Sequence, residues 1–119
     1  SIMEKMISAR TIDFQPDDET GIPKVYDGQK VIIGGMITEK TIKYTRNNKV
    51  MAFLTVEDMM GTVEIVVFPR DYEKWQTLIN EDARVFIQGR VNAEDDKPSK
   101  LILEKVRAFD DTTRNLDSV

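Results

Sequence analysis

The chain has 119 residues, 40% of them hydrophobic, and a net charge of −4, which accommodates one domain around one core. With no cysteine and no histidine, it is excluded from disulfides, thiolate or imidazole metal sites, cysteine nucleophiles and histidine-based triads. No apolar run nears the roughly 20 residues that cross a bilayer as a helix, and no signal-peptide pattern opens the chain, so a cytoplasmic protein with no membrane partner is expected.

Ser1 to about Gln29 opens without an initiator Met and reads as a lead-in cut from a longer polypeptide. It joins a short helical-looking piece, Met3 to Ala9, to the turn-rich run Pro16 to Pro23, and is expected to pack loosely on the domain. Lys30 to Tyr44 reads as a long first strand with Gly34-Gly35 at its middle, where adjacent glycines permit the coiling or bulge that lets one strand serve two sides of a barrel. Thr45 to Asn48 supplies a turn, with Asn47 and Asn48 both tolerant of left-handed φ.

Two period-two runs come next, Val50 to Glu57 and Thr62 to Phe68, around Asp58-Met59-Met60-Gly61. They predict a β-hairpin whose Gly61 takes the positive φ of a tight turn. Strand side chains alternate between faces, so Val50, Ala52, Leu54 and Val56 with Val63, Ile65 and Val67 form the core side. The opposite side carries Met51, Phe53, Val66 and Phe68 among polar residues, which is too apolar for a face that only meets water. From Pro69 to Asn80 the period changes: Tyr72, Trp75, Leu78 and Ile79 share one side of a short helix that Pro69 starts and Asn80 closes. Arg84 to Val91, bent at Gly89, and Leu101 to Phe109 are the last strands, separated by the acidic loop Glu94 to Lys100. The predicted organisation is a lead-in over 1–28, a domain over 29–110 and a frayed tail over 111–119.

The order strand, strand, strand, helix, strand, strand predicts an all-β protein, a five-stranded Greek-key OB-fold barrel with one short helix between strands three and four. That fold binds ligands on the face of strands two and three, where the apolar side of the hairpin lies. Gly35-Met36-Ile37-Thr38, Met51 to Asp58, Gly61 to Pro69 and Gly89-Arg90-Val91 resemble the OB domain of the bacterial DNA polymerase III alpha subunit over about residues 29 to 110, and the lead-in is similar to the segment before that domain. A weaker likeness, through Phe53-Leu54, Glu57-Asp58 and Gly61, is to the anticodon-binding domains of class II aminoacyl-tRNA synthetases. The first resemblance implies a DNA-directed DNA polymerase, a nucleotidyltransferase acting in DNA replication, as the parent, with this domain handling the single-stranded template. The rest of the polymerase chain and replisome proteins are the implied partners.

The candidate contacts each have a plainer alternative. Phe53, with Met51 and Phe68 beside it, offers a platform for a base, worth about 1–3 kcal/mol per stacked base, or packs beneath a segment such as the lead-in. Lys40, Lys43, Arg46 and Lys49 give Lys40 to Val56 a local balance of +4 with no acid. With Tyr44 among them they suit phosphates and a base, or form an ordinary solvated hairpin tip. Arg90 extends the same groove or makes a surface ion pair. Glu64 accepts from a base amino group or pairs with a lysine across the sheet, and Glu94-Asp95-Asp96 opposes strong binding. Carboxylate pairs such as Glu57-Asp58 are better turn formers than Mg²⁺ ligands, and no glycine-rich phosphate loop is present, so neither catalysis nor a cofactor is expected in this segment. Single-stranded DNA binding is the leading expectation, with protein docking in the replisome and anticodon-type RNA binding as alternatives.

Overall fold

The computed structural model describes residues 7–94 and 97–109. Met3 to Met6, Asp95-Asp96 and the tail from Asp110 lie outside the described residues; Ile7 to Ala9 are not helical. After a 3₁₀ turn at Thr11–Phe14, the elements are β1 (Lys30–Tyr44), β2 (Val50–Glu57), β3 (Thr62–Val67), α1 (Pro69–Trp75), β4 (Arg84–Asn92) and β5 (Lys100–Ala108). The strands close into a barrel in the order β1-β2-β3-β5-β4, antiparallel throughout except for β3 beside β5. This is the OB-fold that the element order predicts, with α1 between β3 and β4.

Closure depends on β1. Its first half, from Lys30 to Met36, pairs with β4, and from Met36 onward it pairs with β2. At the change of partner the strands come so close that a Cβ on Gly35 would meet the Glu57 carbonyl oxygen at 2.5 Å and the Val56 side chain at 2.8 Å. A bulge lies just beyond, between Ile37 and Glu39. The Ile37 backbone stays satisfied there, donating to Ala83 O at 2.9 Å and accepting from Asp82 N at 2.7 Å. Gly89 marks a second corner, at the register shift of β4 against β5, where a Cβ would run into the Ile102 carbonyl.

Alternation buries the aliphatic side of the hairpin as predicted for Ala52, Leu54, Val56, Val63, Ile65 and Val67, each at most 3% exposed, but not for Val50, which at the start of β2 is only half-buried. Each such side chain contributes about 1.5–3 kcal/mol on burial. The hairpin turn does not work as predicted, because Gly61 is not among the positive-φ glycines. The Asp58 carboxylate closes the loop instead, accepting from Met60 N at 2.8 Å and Gly61 N at 3.1 Å. In the β1–β2 turn only Asn48 is left-handed, at φ 61°. β3 ends at Val67, and Phe68 is the extended residue that enters α1, since a residue before proline is held away from helical φ/ψ. The helix stops at Trp75, whose indole N–H donates to Glu104 O at 3.1 Å, and a turn rather than more helix brings Ile79 into the core.

The lead-in is not a loose linker. Ala9, Phe14 and Val25 join the core cluster, Phe14 fully buried. Ser8 N donates to Ile32 O and Ser8 Oγ accepts from Ile32 N, Gly28 N donates to Val91 O, and Ser99 N donates to Phe14 O. Fully buried Thr11 is held by the same carboxylate that closes the hairpin: Asp58 accepts from Thr11 N at 2.9 Å and from its hydroxyl at 2.6 Å. Lone apolar residues among acids carry no period, which is why this packing is not legible from sequence.

Partial burial pushes the Asp58 pKa up, but the hydrogen bonds from Thr11, Met60 and Gly61 outweigh it and hold the carboxyl below its ordinary value. A depressed folded-state pKa contributes stability that is present above the unfolded carboxylate range and is lost as pH falls through the folded value. Urea melts should therefore show stability falling as pH drops below about 4, with that part of the fall missing in Asp58→Asn. Asp58→Ala should cost about 1–3 kcal/mol at neutral pH, because it strands the buried Thr11 donors. Gly35→Val should cost about 1–3 kcal/mol in the same melts through overpacking.

Candidate nucleic-acid interface

Residues paired across neighbouring strands share a face, so the ladders define rows on the outside of the barrel. One row runs Thr41, Phe53, Val66, Ile102, Arg90, Lys30 from β1 round to β1 again. A second runs Glu39, Thr55, Glu64, and continues to Lys100 through an ion pair of 3.7 Å with Glu64. Thr41 and Phe53 of the first row and Glu39, Thr55 and Glu64 of the second floor a groove of about 430 Å³ whose far wall is the β4–β5 loop, Lys97 to Lys100, with Gln15 of the lead-in beside it.

Phe53 lies half-buried in the groove. Lys43, on the same face through its neighbour Met51, places its ammonium 5.7 Å from the Phe53 ring centroid, within cation–π range. Val66, on the same face, is buried at 8% exposure outside the inner core cluster and does not line the groove. Phe68 is 45% exposed at the entry to α1. Arg90 is exposed at the far end of the Phe53 row.

The five residues read as one basic loop with an aromatic are not one patch. The β1 bulge shifts the alternation by one residue, so beyond it Lys40, Ile42 and Tyr44 pair with Leu54, Ala52 and Val50 of the core-side face. Only Lys43 shares the face of Phe53. Lys40 instead reaches α1, its ammonium 5.6 Å from the Tyr72 ring and 3.5 Å from Asn80 Oδ1. Tyr44 is 71% exposed on that other side, and Arg46 and Lys49 are exposed at the tip.

Gln15, Lys97 and Lys100 belong to the groove and do not stand out in the sequence. Lys97 and Lys100 come after an acidic run that masks them; Glu94 lies against Lys97 at 3.5 Å. The β4–β5 loop is held in place by Phe14 through Ser99 N, at 3.0 Å, so the lead-in also positions this wall. Asp58 is occupied structurally, and among the described residues no cluster of acidic side chains is arranged to hold a metal.

Among curated proteins, the DNA polymerase III subunit alpha of Saccharopolyspora erythraea is 30% identical over 97 residues, covering 72% of this chain and 8% of that protein. That of Aquifex aeolicus is 40% identical over 60 residues, covering 50% of this chain and 5% of that protein. The chain thus spans only 5% and 8% of the length of these two relatives. A mitochondrial single-stranded DNA binding protein from S. cerevisiae, Rim1, superposes with a TM-score of 0.58 at 17% identity, over 71% of this chain and 96% of that one. Asparaginyl-tRNA synthetase from Pyrococcus horikoshii gives 0.60 at 22% identity, over 87% of this chain and 23% of that one. Likeness at these identities concerns the fold alone. Residues 31–108 match the family of the OB-fold nucleic acid binding domain, and with the closed barrel and its β2–β3 groove this chain belongs to that family.

Proposed function

We propose that this chain is a single-stranded DNA-binding module of a bacterial replicative DNA polymerase, the alpha subunit of DNA polymerase III, and that it holds the template strand in the β2–β3 groove during cytoplasmic DNA replication. The observation that carries the reading is Phe53, a half-buried ring in an open groove with the Lys43 ammonium 5.7 Å from its centroid. A base laid on that ring brings its phosphate within reach of a long, mobile cation, the pairing that sequence-tolerant single-strand binders use. Lys97 and Lys100 provide cations on the opposite wall. The exposed Glu64–Lys100 pair holds about 0–1 kcal/mol, so Lys100 is free to exchange that carboxylate for a phosphate. Relatives named as polymerase alpha subunits favour DNA over the anticodon alternative. The rest of the polymerase chain and replisome proteins are the partners this reading assigns.

Anisotropy of a labelled single-stranded deoxyoligonucleotide against the 119-residue chain tests it. Affinity should fall with salt, and Phe53→Ala should weaken it by about fivefold or more, the loss of one stack. Unchanged binding by Phe53→Ala would sink the stacking role. Arg46→Glu should weaken all sequences alike and flatten the salt dependence by about 0.7 in log–log slope for each phosphate the side chain no longer neutralises; an unaltered slope removes Arg46 from the contact set. An oligoribonucleotide bound more tightly than its deoxy counterpart would favour the RNA-binding alternative.

A further inference from the structure

The other side of the β1–β2 arm has the makings of a site too. Past the bulge, Ile42 and Tyr44 share the side of β1 from which Lys40 reaches the Tyr72 ring of α1, and Ile42 is 38% and Tyr44 71% exposed there. Tyr44 pairs with Val50, and Val50 lines a second groove, of about 560 Å³, together with Lys49, Pro69, Arg70, Tyr72 and Glu73. Lys40 sits over the Tyr72 ring at its edge. Lys49 and Arg70 thus share the groove wall with one acid, Glu73, and the Tyr72 ring, and Tyr44 stands beside it through its partner Val50.

We propose that this helix-facing groove is a second contact for the same single strand, which rounds the arm tip so that Tyr44 stacks a base and Lys49 and Arg70 take phosphates. The inference rests on the single-strand reading above. Charge complementarity selects the occupant: an apolar peptide would strip water from Lys49 and Arg70 with one carboxylate to compensate, whereas a phosphodiester satisfies both cations and offers rings to Tyr44. The path is continuous. Lys43 and Tyr44 are consecutive residues on opposite faces of one strand, and exposed Arg46 lies at the turn between the two grooves. That turn is built to hold its shape, with Thr45 N donating to Lys49 O at 2.8 Å and Asn48 N to Thr45 O at 2.9 Å.

The test compares labelled oligothymidylates of about 5 and about 15 nucleotides, which bracket the site sizes of known OB-folds. Tyr44→Ala, and separately Arg70→Glu, should weaken the long oligomer by at least about fivefold, the lower bound for one missing stack. The short oligomer should stay within about twofold, as expected for an independent site, while Phe53→Ala weakens both lengths. Melting curves of each variant confirm that it is folded. Equal weakening at both lengths would mark a field effect and overturn the second groove. No weakening at either length would also overturn it, as a groove that docks protein predicts, and in both cases the Phe53 groove stands. Failure of the wild-type chain to bind either oligomer overturns both readings.

Discussion

The fold and the grooves on its surface depend on the change of partner in the middle of β1. One strand hydrogen-bonds first to β4 and then to β2, and it does so where the Gly35 backbone lies against the Glu57 carbonyl. A side chain there would have to displace the Glu57 backbone and the Val56 side chain. The bulge beyond it costs one regular pairing, and the Ile37 backbone recovers its hydrogen bonds from Asp82 and Ala83 in the connection to β4. The bulge also resets the side-chain alternation, and so decides that Lys43 rather than Lys40 stands on the side of the arm that carries Phe53.

A second constraint is the carboxylate of Asp58. A turn-tip acid usually contributes only local order, but here its oxygens serve both the hairpin backbone and Thr11, 47 positions away. The energetic asymmetry favours this contact over the surface ion pairs. Thr11 is fully buried and needs a partner, whereas Glu64 and Lys100 are each at least 40% exposed and are hydrated when apart. The lead-in is therefore part of the domain. By holding Ser99 through Phe14, it also sets where Lys97 and Lys100 stand beside the groove.

Net charge is a poor guide to what this surface attracts. At physiological salt, screening limits each exposed charge to about 8 Å, so a phosphate in the groove responds to Lys43, Lys97 and Lys100 and to the nearby Glu39 and Glu64 more than to the total of −4. Glu39 and Glu64 in the groove offset part of the attraction that its lysines exert on an anion.

The sequence alone determined the elements whose signal is local. Period-two alternation identified the hairpin and its core face, Pro69 marked the start of the helix, and the two glycine sites marked the corners, which together imply the barrel and its β2–β3 face. Tertiary structure decided what depends on distant partners. Alternation predicts faces only while register is unbroken: it separates Lys43 from Lys40 and Tyr44 by itself, but a bulge of one residue between Ile37 and Glu39, invisible in composition, decided that Lys43 is the one that shares the Phe53 face. Phe14 and Thr11 sit in a segment without periodicity, and their burial depends on the barrel and on Asp58. Lys97 and Lys100 become groove residues only because the closed barrel brings the β4–β5 loop beside β3. Parity counts along one strand, whereas a groove wall is set by chain closure, and only the folded molecule carries that information.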